Sequence, residues 1–146
     1  LDNKIYDVLL VQSAVWINNH GVSFSSQGAD GGMILDGKEK NINSVRLKDF
    51  VVDYPSIDLL KIDIEGAEYD VLLDCKNNLD NVKNLFIEYH SFSNNQQKLS
   101  HILKILEANN FRYIIESVYV NKQPFILKNS NNLMDLQLNI FAFRKA

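Results

Sequence analysis

The sequence predicts an α/β fold in which a mostly parallel sheet ends in an antiparallel hairpin. Residues 58–64 contain Leu59, Leu60, Ile62 and Ile64, so apolar side chains would lie on both faces of a strand, which is typical of a buried parallel strand. A helical pattern at 67–77 and a strand-like run at 85–90 follow, so the three segments form a βαβ unit. Residues 111–120 and 136–144 are two further strands with no helix between them, and strands joined in this way pair antiparallel.

The composition is that of a soluble globular protein with a single domain. The chain has 146 residues, of which 46% are hydrophobic and 23% are charged. A net charge of −3 and scattered basic residues argue against binding to nucleic acid or to an acidic membrane surface. No apolar run approaches the roughly 20 residues that span a bilayer. The single cysteine, Cys75, cannot form an internal disulfide, which favours a reducing compartment and hence the cytoplasm.

The amino-terminal third is expected to hold a hairpin and a long loop. Residues 5–16 resemble a strand, the turn signal at 18–21 follows it, and residues 22–24 are the expected return strand. The segment 25–43 is polar and rich in glycine, but its glycine cluster at 28–32 lacks the lysine and Ser/Thr of a phosphate-binding loop and is not followed by a helical pattern. We therefore expect an exposed loop there. A short strand and a helical turn are predicted over residues 44–52.

Two helices are predicted to cover the sheet. The first spans about 67–77, with Ala67, Val71, Leu72 and Cys75 facing the sheet. The second spans about 97–109, and its apolar stripe consists of Leu99, Ile102, Leu103 and Leu106. The connection between the last two strands, at 121–135, is long, polar and broken by Pro124.

Acidic residues and a histidine follow the two strands of the βαβ unit. Asp63 and Glu65 lie at the carboxyl end of the first strand, where open α/β sheets hold their ligands. Glu88 and His90 share one face of the next strand, so they are expected near Asp63. His90 suits a general base at neutral pH, but a histidine hydrogen-bonded at the rim of the sheet is an equal alternative. Asp63 could instead accept backbone N–H groups, and Glu68 is expected to be structural or solvated.

The sequence also allows an alternative in which the same residues bind a metal ion. Asp63, Glu65, Glu88 and His90 offer the oxygen and imidazole ligands that suit Mg²⁺ or Mn²⁺. A metal-dependent enzyme is therefore an alternative to an enzyme that uses His90 as a base.

One stretch resembles a known family. Residues 61–68, with the sequence KIDIEGAE, are similar to the signature of the FkbM family of S-adenosylmethionine-dependent methyltransferases. Residues 13–16, 86–90 and 139–143 resemble other strands of that family. The resemblance covers nearly all of the chain.

This resemblance implies a fold, a cofactor and a set of site residues. The fold would be the carboxyl-terminal part of a Rossmann-like class I methyltransferase, and the cofactor S-adenosyl-L-methionine. The implied reaction is methylation of a hydroxyl oxygen on a sugar, a glycan or another small metabolite. The catalytic candidates are Asp63, Glu88 and His90. The candidates for cofactor binding are Ser13, Ala14, Asp63 and Glu65, although Ser13 and Ala14 could also be ordinary small residues at a strand end.

The resemblance also implies that an amino-terminal half is missing. Class I methyltransferases begin with a glycine-rich turn for the cofactor, and no such turn occurs in the first strand here. The chain starts at Leu1 without a methionine or a visible signal peptide, so we expect residues upstream. The strand at 58–64 would then have an open edge. The first strand, a second copy of the chain or the missing segment is expected to cover it. A partial domain could also be a non-catalytic interaction module.

Overall fold

The computed structural model describes residues 7–26, 32–35, 42–126 and 134–145. Within them the strands are β1 (Ala14–Trp16), β2 (Ser23–Ser26), β3 (Gly32–Leu35), β4 (Ser44–Arg46), β5 (Ile57–Ile62), β6 (Val82–Phe92), β7 (Arg112–Val120) and β8 (Met134–Phe143). The helices are α1 (Leu47–Val51), α2 (Glu68–Cys75) and α3 (Leu99–Ala108). None of these helices has the length and apolar character needed to cross a bilayer.

The main sheet has four strands in the order β5-β6-β8-β7. Strands β5 and β6 are parallel and are joined through α2, which confirms the predicted βαβ unit. Strand β8 pairs antiparallel with both β6 and β7, so the predicted terminal hairpin lies at one edge. Because only one of the three pairings is parallel, the sheet is mixed rather than mostly parallel.

Helices α2 and α3 pack on one face of this sheet and enclose the core. Alternate residues of the strands point toward the helices, as the pleat requires. The core residues from the sheet are Ile62, Val82, Leu85, Ile87, Tyr89, Leu138, Ile140 and Ala142, and those from the two helices are Leu72, Cys75, Ile102, Ile105 and Leu106. Of the predicted sheet-facing residues, Leu72 and Cys75 thus belong to this core, and Ala67 and Val71 are buried outside it. The carboxyl ends of β5 and β6 are held next to each other above this core.

The amino-terminal third differs from the prediction. Of the expected strand at 5–16, the structure describes residues 7–16, and among these Ala14–Trp16 form a strand while the apolar residues 8–11 stay exposed. Strand β1 pairs in parallel with β4 and not with residues 22–24. Strand β2 instead forms a hairpin with β3, so the segment 25–43 is not simply a loop. Residues 27–31 and 36–41 of that segment lie outside the described residues.

Strand β5 is also less buried than its sequence predicts. Ile62 is buried, but Leu59 is 63% exposed. The reason is that β5 is an edge strand, and β6 is its neighbour in the sheet among the described strands. The expectation that the first strand covers this edge is wrong, because β1 pairs with β4. A covering partner chain or a further segment stays a prediction.

Candidate functional site

The turn between β5 and α2 shapes the site. Glu65 adopts a left-handed backbone conformation with φ of 53°, and Gly66 follows with φ of 98°. A Cβ atom on Gly66 would lie 2.9 Å from Cε2 of Phe92, so the turn packs directly against the end of β6. Glycine is needed at this position for both the dihedral angle and the space. The turn thereby brings Glu65 and Glu68 to the end of β6.

Glu68 is the buried acid of the site. It is only 1% exposed, although it is the first residue of α2. Its Oε1 atom accepts a hydrogen bond of 2.9 Å from the backbone N–H of Gly66. The same oxygen lies 3.0 Å from Nδ1 of His90. A buried carboxylate is costly unless it is paired and hydrogen-bonded, and Glu68 meets both conditions.

His90 is held so that each of its ring nitrogens faces an acid. The residue is 5% exposed, and its ring stacks on that of Phe92 with 6.3 Å between centroids. We assign the proton of this hydrogen bond to Nδ1 of His90, since a carboxylate accepts hydrogen bonds. In the neutral ring Nε2 then has a lone pair that can accept a hydrogen bond from the amide of Gln137. Nε2 of His90 lies 3.7 Å from Oε2 of Glu65 and 3.4 Å from Nε2 of Gln137.

The acids around His90 shift its titration and that of Glu65. Burial opposes protonation of His90, but the hydrogen bond and charge of Glu68, with the charges of Glu65 and Glu88, outweigh it and raise the pKa of His90 above its ordinary value. Burial also raises the pKa of Glu65, and the carboxylates of Asp63, Glu68 and Glu88 add to this effect. Both groups therefore hold protons more tightly in the folded protein.

Three of the four predicted ligands come together as a group. One ligand atom each from Asp63, Glu65 and His90 lies within 4.8 Å of the others. Asp63 is also paired with Lys61 at 3.1 Å. Glu88 does not belong to this group, and its carboxylate instead accepts a hydrogen bond from the amide of Gln137. Of the four residues that the sequence offered for an alternative metal site, three are therefore grouped.

Ser13 and Ala14 lie at the start of β1. Ala14 begins β1, and its backbone N–H donates to the carbonyl of Asn43 at 2.8 Å. In the described part of the chain no hydrogen bond or ion pair connects Ser13 or Ala14 to Asp63, Glu65 or His90.

Two members of the site were missed in the sequence. Glu68 was expected to be structural or solvated, yet it makes the closest contact with His90. The signal was its place beside Ala67 and Val71 on the buried side of α2, where a charged residue needs a partner. Gln137 touches both Glu88 and His90 from β8. Gln137 lies opposite His90 because of the register in which β8 pairs with β6, and the sequence does not reveal this register.

The site falls inside a recognised domain. A family model described as the Methyltransferase FkbM domain matches residues 12–113, which is 102 of the 146 residues. The match includes both strands of the βαβ unit and every acid around His90, and it ends before Gln137. No curated protein and no solved structure matches the sequence.

Proposed function

Since the chain belongs to the FkbM methyltransferase family, we propose that it takes part in transferring a methyl group from S-adenosyl-L-methionine to a hydroxyl oxygen. The observation that supports this reaction best is the buried pair of Glu68 and His90. Transfer to an alcohol requires a base for the hydroxyl proton, and in this proposal Nε2 of His90 is that base.

In this proposal residues of the chain take up the proton that leaves the acceptor hydroxyl. S-adenosyl-L-methionine supplies a methyl carbon bonded to a positively charged sulfur. As the acceptor oxygen forms its bond to that carbon, the carbon–sulfur bond breaks and the hydroxyl proton moves to Nε2 of His90. Glu68 keeps the proton on Nδ1 and stabilises the imidazolium that forms, because its carboxylate is 3.0 Å away. His90 is thus the catalytic residue and Glu68 the positioning residue.

The chemical groups of the cofactor match the carboxylate side chains of the site. S-adenosyl-L-methionine has ribose hydroxyls and two positive groups, and carboxylates are suitable partners for both. We assign this role to Asp63 and Glu65 at the end of β5, with Ser13 and Ala14 as further contacts. The mixed sheet, in which a βαβ unit is followed by an antiparallel hairpin, supports the carboxyl-terminal part of a Rossmann-like class I fold.

The charge of the site favours a neutral acceptor. Asp63, Glu65 and Glu88 would repel a phosphate or carboxylate group, but they accept hydrogen bonds from hydroxyls. A sugar or another small polyol meets this condition. We therefore propose a neutral polyol acceptor, and a cytoplasmic location is supported by the buried free thiol of Cys75.

A metal-dependent enzyme is a second candidate. The grouping of Asp63, Glu65 and His90 within 4.8 Å favours it, and Glu68 would orient the histidine as outer-shell carboxylates do. The two candidate functions require different roles of the same atom, Nε2 of His90. If Nε2 of His90 binds a cation, it cannot accept a proton.

Calorimetric titration combined with a methyl-transfer assay tests the proposal. S-adenosyl-L-methionine should bind in the presence of a chelator, and its labelled methyl group should appear on a member of a panel of neutral sugars. The variant His90→Gln should lower the transfer rate about a hundredfold or more. The variant His20→Gln is the matched control, because that side chain is exposed and far along the chain from the site.

The alternatives give different results. Loss of transfer with the chelator and recovery with Mn²⁺ would favour the metal-dependent enzyme. A folded chain that neither binds the cofactor nor transfers methyl groups would support the non-catalytic interaction module.

A further inference from the structure

The face of the main sheet opposite α2 and α3 carries exposed apolar side chains. Ile114, Phe141, Phe86 and Lys61 are paired across the four strands and so form one row on this face. Ile114 is 57% exposed and Phe141 is 38% exposed. In the next row Phe143 and the exposed Leu59 lie on either side of Asn84. A sheet face that is exposed to water normally carries polar residues. The apolar side chains on this face therefore suit it to packing against another surface.

Two unpaired charges flank the apolar row on the edge strand β7. Arg112 and Glu116 lie two residues before and two residues after Ile114, and alternate residues of a strand share a face. Both are exposed, and in the parts of the chain that the structure covers neither makes an ion pair. A positive and a negative charge are therefore placed symmetrically about Ile114.

This arrangement is complementary to itself. A two-fold rotation about the row of Ile114 and Phe141 exchanges the flanking rows, so that Arg112 of one copy comes opposite the partner's Glu116. The same rotation places Glu116 opposite the partner's Arg112. Lys61 would face the same lysine of the other copy, but its charge is already balanced by Asp63 at 3.1 Å.

We propose that this sheet face docks against the same face of a second copy of the chain. Two sheets would then pack face to face at about 10 Å, with the phenylalanine and isoleucine side chains between them. The row of His90 and Gln137 lies beyond that of Glu88 and Asn139, so His90 would lie at the rim of the interface and Glu88 within it.

Sedimentation velocity over a wide range of protein concentration tests this inference through charge reversal. The wild type should show a concentration-dependent dimer. Arg112→Glu and Glu116→Arg, each alone, should weaken association about tenfold or more, because like charges then face each other. A mixture of the two single variants should associate as a heterodimer, and the double variant should recover the homodimer. Lys104→Glu on α3 is the control and should leave association unchanged.

Several results would overturn the proposal. One is a wild type that stays monomeric at high concentration, including a monomer in which Phe141 is shielded by another part of its own chain. Another is a dimer that both charge reversals leave intact. The variant Ile114→Lys gives a separate check, because it should abolish the dimer while circular dichroism shows that the fold is kept.

Discussion

At the scale of single residues, the site depends on how Glu68 is held. Its carboxylate accepts a hydrogen bond from the N–H of Gly66 and faces Nδ1 of His90, so one oxygen fixes both the turn and the ring. His90 could be placed at the strand end from sequence alone, whereas its partner could not. A carboxylate in the first turn of a helix is usually explained by its favourable interaction with the helix dipole. That explanation does not indicate that the side chain of Glu68 points into the protein.

The first prediction concerns the pKa of His90. Glu68→Gln should lower this pKa, because it removes the charge that most strongly favours the imidazolium. Nuclear magnetic resonance titration of the His90 ring protons measures it directly. Asp70→Asn, a change in the same helical turn, is the control and should have a much smaller effect. An unchanged pKa in Glu68→Gln would mean that the pair does not form in solution.

The second prediction concerns the turn at Gly66. Gly66→Ala should destabilise the protein by about 1–3 kcal/mol, because alanine is strained at a φ of 98° and its Cβ would meet Phe92. Urea unfolding measures the free energy of unfolding. In a Phe92→Leu background the cost should be smaller, since the steric part is relieved while the dihedral strain stays. An equal cost in both backgrounds would rule out the contact with Phe92.

At the scale of secondary structure, Arg144 ties the end of β8 to two loops. Its guanidinium donates to the carbonyls of Leu79, Val82 and Asn109 at 2.7 to 3.0 Å. The guanidinium carbon also lies 4.4 Å from the centroid of the Phe111 ring. These contacts join the start of β6, the end of α3 and the last strand, which fixes the parallel pair against the hairpin.

The third prediction follows from these contacts. Arg144→Met should lower the free energy of unfolding by about 2 kcal/mol or more, because partly buried carbonyls lose a charged donor. Arg144→Lys should recover only part of the loss, since an ammonium group cannot match the planar fork of donors. Lys145→Met, at the next and exposed position, should change stability by less than about 0.5 kcal/mol. Thermal or urea unfolding compares the three, and equal stabilities would refute the role of Arg144.

The predictions of secondary structure succeeded where the pattern was local. The helices α2 and α3 and the β7–β8 hairpin follow from apolar periodicity and from the absence of a helix between two strands. The strand predicted at 5–16 failed for a different reason. Its apolar residues satisfy a strand pattern, but whether they pair depends on distant segments, and β1 joins β4 instead of residues 22–24.

At the scale of the whole molecule, the sheet order places β6 between a parallel and an antiparallel neighbour. This position brings acids from β5, α2 and β6 and an amide from β8 around His90. The βαβ unit could be predicted from the sequence, and so could the closeness of Asp63 to His90. The edge position of β5 could not, because an apolar run does not reveal how many neighbours a strand has.

The fourth prediction concerns stability against pH. Because the folded pKa of His90 lies above its unfolded value of about 6.5, protonation of His90 favours the folded state. This contribution is fully present below the unfolded pKa and is lost as pH rises through the folded pKa. The stability of the wild type relative to His90→Gln should therefore fall over that window in urea unfolding. A difference that grows with pH would reverse the assignment.

The pH dependence of methyl transfer tests the central claim most directly. With S-adenosyl-L-methionine and a neutral sugar acceptor, kcat/KM should rise with pH and level off above a pKa higher than 6.5, because His90 must lose its proton before it can act as a base. Glu68→Gln should move this inflection to lower pH and reduce the plateau rate. A profile without an inflection, or full activity in His90→Gln, would contradict the assignment of His90 as the base.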